Sequence, residues 1–152
     1  MEFIEDMEII EIKKVTLSDV EQLQQIGRQT FHETFSEANT EENMTNYLDE
    51  KFSLEKLTAE LNDKNAEFYF ATIDNTAIGY LKLNFGQSQT ELQEDKALEI
   101  ERIYVLKEFH GQKVGQVLYE KAIEIAKYKN VEYIWLGVWE DDCALPSFIG
   151  AP

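Results

Sequence analysis

The chain has one cysteine, Cys143, and so no internal disulfide; no metal-ligand spacing surrounds that thiol, which agrees with a reducing compartment. Its two histidines, His32 and His110, stand far apart in sequence and give no support to a zinc site. No apolar run approaches the length of a membrane span. The opening residues "MEFIEDMEII" carry acids where a secretory signal needs bases, so a cytoplasmic location is expected. Basic residues are scarce: 14 Lys and Arg stand against 30 Asp and Glu, a formal charge of −16. Such a chain repels nucleic acid and acidic membranes, whose binding needs clustered Lys and Arg. It attracts cations, polycationic small molecules included, although acidity also serves solubility alone. Internal repeats, low-complexity segments and linkers are absent, which leaves one domain over residues 1–152.

What is present can bury a core: 152 residues, 43% of them hydrophobic. "EIIEIKKV", residues 8–15, reads as a first strand. "TLSDVEQLQQIGRQTF" reads as a helix, with Thr16 or Ser18 as its N-cap and Val20, Leu23, Ile26 and Thr30 along one face. Thr40 starts a second helix through Met44, Tyr47 and Leu48, and Ser53 caps a third through Leu57 and Leu61. "EFYFATIDNTAIGYLKLNF" predicts a hairpin turning at Asp74-Asn75. A last helix is predicted from Val114 to Tyr128, with Val114, Leu118, Ala122, Ile125 and Ala126 on one stripe. It lies between "ALEIERIYV" and "VEYIWLGVW", and a strand–helix–strand unit of this length makes that strand pair parallel. The expected fold class is α/β: a mixed, mostly antiparallel sheet with helices on both faces.

The strand "ALEIERIYV" changes phase midway. Leu98 and Ile100 alternate, and Ile103 and Val105 then continue on the opposite parity. One extra residue near Glu101-Arg102 would return all four to one face, as a β-bulge does. A strand buried on both faces would also tolerate the pattern.

Glycines between that strand and the last helix admit three devices. The dinucleotide pattern G-x-G-x-x-G is lacking, and so is the G-x-x-x-x-G-K-[ST] loop of NTPases. The third needs only bare backbone N–H groups at a helix N-terminus, aimed at a pyrophosphate. "HGQKVG" suits it: Gly111 and Gly115 lack β-carbons and Lys113 adds positive charge. An ordinary glycine turn before a helix reads the same way.

The stretch "LEIERIYVLKEFHGQKVGQVLYEKAIEIA" followed by "IWLGVWE" resembles the GNAT N-acetyltransferases, and within them the bacterial spermine/spermidine N-acetyltransferases. "TFHETF", "ENMTNYL" and "IGYLKLN" are similar to stretches those proteins carry, so the resemblance spans roughly Met7 to Glu140. The family loop Q/R-x-x-G-x-G/A falls on His110 to Gly115, with His110 in place of Gln/Arg and Lys113 in place of the first glycine. The resemblance implies acetyl-CoA as co-substrate, held in a V between the fourth and fifth strands. Ile103, Tyr104 and Val105 would then hold the pantetheine arm, and His110, Gly111, Gln112, Lys113, Val114, Gly115 and Gln116 the phosphates. It implies acetyl transfer to a primary amine, with polyamines the leading acceptors. The alternative is a catalytically idle CoA-binding module with a regulatory or interaction role.

For the proton lost by the amine, Glu101 is the matching strand-four carboxylate and Glu99 its fallback, although a solvated Glu101 paired with Arg102 fits the sequence equally. Glu33 and Glu37 would line an amine entrance or lie on a solvated helix face, and His32 reads as packed or capping. No metal is expected. The family follows its fifth strand with N-x-x-A-x-x-F-Y, whose Asn contacts CoA and whose Tyr is the proposed acid. Here Glu140 precedes "DDCALPSFIGAP", and neither residue has a counterpart. The expectation is a truncated or frame-shifted end lacking a helix and two strands, and an open edge beside "YIWLGVW", with either a homodimer formed through that edge or poor stability and little transferase activity.

Overall fold

Asp74 and Asn75 both take left-handed backbone angles, φ 52° and 66°. A two-residue hairpin turn with the twist of its strands needs that geometry, and Asp and Asn tolerate it. The computed structural model describes residues 9–90, 94–137 and 146–150. In it the turn joins β2 (Ala66–Ile73) to β3 (Thr76–Phe85). Strand β1 (Glu11–Lys14) pairs antiparallel with β2, and β4 (Ala97–Val105) antiparallel with β3. Strand β5 (Tyr133–Gly137) runs parallel to β4, and with β6 (Pro146–Gly150) at the edge the sheet order β1-β2-β3-β4-β5-β6 follows the sequence.

Helix α1 (Val20–Phe35) starts later than the sequence suggests. Thr16 begins a short 3-10 turn, Leu17–Asp19, and Asp19 reaches back to accept the Thr16 backbone N–H at 3.0 Å. The next two helices start where the capping residues predict. In α2 (Glu41–Lys51) Thr40 accepts the Asn43 N–H, and in α3 (Leu54–Leu61) Ser53 accepts that of Lys56. Each such cap stabilises its helix by about 1 kcal/mol. Helix α4 (Val114–Tyr128) has the predicted bounds and buries Val114, Leu118, Ala122 and Ala126; Ile125 packs at the margin.

The sheet is covered on both faces. Helix α4 packs with Ala71, Ile73, Leu81, Leu83, Leu98 and Ile100. On the other face Leu23, Ile26, Leu48 and Leu57 of α1–α3 meet Phe68, Phe70 and Tyr80. Because β2 and β3 are buried almost throughout, their sequences are near-continuous apolar runs.

Strand β4 carries the bulge. Lys82 pairs with Arg102 and the adjacent Leu83 with Ile100, so Glu101 is the extra residue. Leu98 and Ile100 lie in the α4-side core, and Ile103 and Val105 pack against the same cluster. The parity break in the sequence therefore reflects the bulge.

Residues Pro146–Gly150 form β6, antiparallel to β5. The edge expected to stand bare beside β5 is thus paired, which corrects the expectation that no strand follows β5 and removes the stated reason for dimerisation there. A proline is compatible with the first position of a strand, where its missing N–H costs the ladder least. Glu140 and Cys143 lie outside the described residues. Among the described residues no helix is long and apolar enough to cross a membrane, and no group of three His, Cys, Asp or Glu could hold a metal ion.

Candidate active site

Strand β5 pairs with β4 only from Ala97 to Ile100. Beyond the bulge, Glu101–Val105 has no ladder partner on that side among the described residues. A cleft of about 500 Å³ opens here, lined by Thr34 of α1, Ile103–Val105 of β4, Phe109–Gly111, and Lys113–Gly115 at the start of α4. The bulge shapes this site directly, since it sends Ile103 and Val105 back to the α4 side while their pairing with β3 resumes.

The loop between β4 and α4 is tied down at several points. Leu106 donates its N–H to Ile78 O at 2.8 Å, and Phe109 closes a short turn on Leu106 O at 2.9 Å. His110 Nε2 lies 2.9 Å from Val105 O; a carbonyl only accepts, so that nitrogen carries the proton. Lys107 donates its N–H to Glu33 Oε1 at 2.8 Å.

Past His110 the backbone turns through left-handed angles at Gly111 (φ 84°) and Lys113 (φ 67°). Lys113 is the N-cap of α4 and makes no side-chain capping bond, which leaves N–H groups of the first turn open. A β-carbon built on Gly111 or Gly115 would meet nothing within 4 Å. Among the described residues the space beside these two glycines is open, at the positive end of a helix with a lysine beside it. That is what a diphosphate requires, so the residues present fit the CoA phosphates.

On the opposite face of β4 the bulge sets Glu101 beside Arg102 in an ion cluster. Lys82 Nζ lies 2.8 Å from Glu101 Oε1 and 3.2 Å from Glu60 Oε1. Arg102 lies 3.2 Å from Glu60 and 3.5 Å from Glu101, and Asn84 Nδ2 donates to Glu101 at 2.7 Å. Burial by itself pushes the Glu101 carboxyl up. The charges of Lys82 and Arg102, with hydrogen bonds from Asn84 and Lys82, outweigh it and hold Glu101 below its ordinary value. Burial pushes the Tyr104 hydroxyl up, with Tyr47 and Glu101 adding to the rise against the opposing charge of Arg102. Tyr104 therefore keeps its proton at neutral pH.

Of the residues singled out in the sequence, Ile103, Tyr104, Val105, His110, Gly111, Lys113, Val114 and Gly115 come together around the cleft. Gln112 and Gln116 are exposed on the same loop and first helical turn, outside that lining. Glu101 is ion-paired, with its side chain 23% exposed. Glu99, the fallback, is sealed in the core, accepting from Asn84, the Thr90 N–H and the Thr90 hydroxyl. Glu37 and His32 are exposed on and just after the end of α1. Glu33 has both carboxylate oxygens engaged, one by Lys107 and one by Gln29. Sequence reasoning missed Thr34 and Phe109 in the cleft, and Glu60 and Lys82 in the cluster. The unusual lysine inside the apolar run "IGYLKLN" was the available signal for the last of these.

A bulged β4 with a cleft along its end, leading through a glycine-containing turn into a bare helix N-terminus, is the geometry of an acyl-CoA-binding fold. Residues 22–148 match the acetyltransferase (GNAT) family, and the chain belongs to it. It is an acetyl-CoA-dependent N-acetyltransferase by family. It is 36% identical over 131 residues to the N-acetyltransferase of the pepI 3′ region of Lactobacillus delbrueckii subsp. lactis, covering 86% of this chain and 76% of that one. It is 30% identical over 126 residues to the spermidine N(1)-acetyltransferase of Thermoplasma acidophilum, covering 80% and 73%. Among solved structures, PaiA N-acetyltransferase from Thermoplasma acidophilum in complex with coenzyme A superposes with a TM-score of 0.75 at 28% identity, over 88% of this chain and 82% of that one. An aminoglycoside acetyltransferase from a soil metagenome, in complex with sisomicin, shares the fold at 19% identity and a TM-score of 0.64, over 88% and 80%.

Proposed function

We propose that this N-acetyltransferase acetylates a primary amine of a polyamine such as spermidine or spermine, in the cytoplasm. The observation that carries the acceptor class is the 30% identity to a spermidine N(1)-acetyltransferase across 80% of the chain. The formal charge of −16 supports it, because a polycation is drawn to an acidic protein at long range.

Acetyl-CoA, when bound, supplies an acetyl group activated as a thioester. Ile103, Tyr104 and Val105 hold its pantetheine arm along β4. The His110–Gln116 segment receives its diphosphate on backbone N–H groups, with the charge of Lys113 beside them. An ammonium acceptor must lose one proton before its nitrogen forms the amide bond. We assign that proton to Glu101 acting through water. Direct capture is unfavourable, since a lysine-like ammonium near 10.4 exceeds even the ordinary glutamate value of 4.5 by about six units. An ionised Glu101 instead orients a water that relays the proton to bulk solvent and buffer, and its charge eases the positive charge that passes over that water. Glu37, exposed past the end of α1, adds negative charge on the acceptor side.

Thiol release from acetyl-CoA, measured with spermidine, spermine and simple monoamines, tests the acceptor. The expected result is at least a tenfold higher kcat/KM for the polyamines, about 1.4 kcal/mol. A tenfold preference for an aminoglycoside or an amino-acid amine contradicts it, and acetyl-CoA binding without transfer to any amine points to an idle module.

A further inference from the structure

Glu33 and Lys107 are 74 residues apart in sequence, yet Glu33 Oε1 accepts the Lys107 backbone N–H at 2.8 Å. One turn back on α1, Gln29 Nε2 donates to the other carboxylate oxygen at 3.2 Å and fixes its orientation. Lys107 opens the short turn Lys107–Phe109, which leads into Phe109, His110 and Gly111 of the cleft wall. The residue after Glu33, Thr34, lines the cleft from the other side. The ties at Leu106 and His110 run to the strands, to Ile78 O and Val105 O. The Glu33 tie comes from the helical layer on the opposite face of the sheet from α4.

Electrostatics alone argue against this placement. A carboxylate close to a diphosphate site weakens anion binding, and water could satisfy a single exposed N–H at little cost. A glutamate here is explained by what it holds. Fixing Lys107 sets the direction in which the chain enters the His110–Gly115 turn, and a binding loop ordered beforehand loses less freedom on capture.

We propose that Glu33 is a positioning residue for acetyl-CoA, clamping the Lys107 end of the phosphate loop to α1 so that the loop amides face the cleft before the ligand arrives. This rests on reading the cleft as the CoA site.

The wild type, Glu33→Ala and Glu33→Gln are titrated with CoA by calorimetry, and exchange of the Lys107 amide is followed by NMR without ligand. Glutamine keeps an acceptor oxygen and loses the charge; alanine loses both. The clamp predicts CoA binding about fivefold weaker in Glu33→Ala and unchanged or tighter in Glu33→Gln. It predicts Lys107 exchange about tenfold faster in Glu33→Ala, with most protection kept in Glu33→Gln. A mere charge effect predicts tighter binding in both variants. Equal or tighter binding in Glu33→Ala, or unchanged Lys107 exchange, overturns the clamp. A wild type that binds no CoA overturns the reading of the cleft, and the exchange measurement still decides whether the tie exists.

Discussion

Lys82 Nζ sits 2.8 Å from Glu101 Oε1 with only 8% of its side chain exposed, on the strand that faces the bulge. A buried ammonium needs a carboxylate partner, and the bulge presents one next to Ile100, which pairs with Leu136 of β5. The same contact helps hold Glu101 ionised, two residues before Ile103 of the cleft wall.

Glu101→Gln should lower kcat by about tenfold or more while leaving CoA affinity nearly intact, because its side chain is outside the loop that receives the phosphates. Steady-state kinetics beside a CoA titration separate the two effects. Equal turnover from pH 6 to 9 removes Glu101 from the proton path.

The same variant carries a pH signature in stability. The folded value of Glu101 lies below its ordinary 4.5, so between the two the unfolded chain binds the extra proton. Its contribution is complete above 4.5 and fades as pH falls through the folded value. The stability gap between wild type and Glu101→Gln, read from urea midpoints, should therefore shrink on going from neutral pH to about pH 3. A constant gap means the cluster does not shift Glu101.

Gly79 tests how closely β3 supports the cleft. A β-carbon there would lie 2.9 Å from the Tyr104 carbonyl oxygen and 3.4 Å from Leu118 and Val105. The first contact is backbone and cannot swing aside, so Gly79→Ala should destabilise by about 1–3 kcal/mol and weaken CoA binding by displacing Tyr104-Val105. A melting temperature and affinity equal to wild type contradict that packing.

Much of this arrangement was legible in the sequence, and the reasons differ by element. Thr40 and Ser53 fixed two helix starts because capping is local chemistry. Asp74-Asn75 fixed the hairpin for the same reason, and the broken parity of "ALEIERIYV" located the bulge because alternation follows the pleat. The contacts of Glu60 with Lys82 and Arg102, and of Glu33 with Lys107, were not legible. They join distant segments through tertiary packing, and no spacing rule relates such residues. Strand β6 escaped as well, since five residues led by Pro146 show no alternation to read.

Salt tests the electrostatic part of the polyamine proposal. Raising ionic strength shortens the screening length from about 10 Å at 0.1 M to about 3 Å at 1 M. The preference for spermidine over a monoamine should shrink across that range. A preference indifferent to salt assigns selectivity to short contacts and not to the −16 charge.

Acetyl-CoA capture depends most directly on the loop at the start of α4, and calorimetric titration of acetyl-CoA into wild type, Gly115→Ala and Gly115→Glu measures it. Open space surrounds Gly115, so alanine should fold as well as wild type or slightly better, a helix gaining up to about 1 kcal/mol from the exchange. The wild type should bind in the micromolar range. Gly115→Ala should bind more weakly despite its stability, and Gly115→Glu more weakly still, by over tenfold or about 1.4 kcal/mol, since it sets bulk and negative charge where the diphosphate meets backbone. A folded Gly115→Glu with the wild-type dissociation constant would contradict the account and place CoA elsewhere.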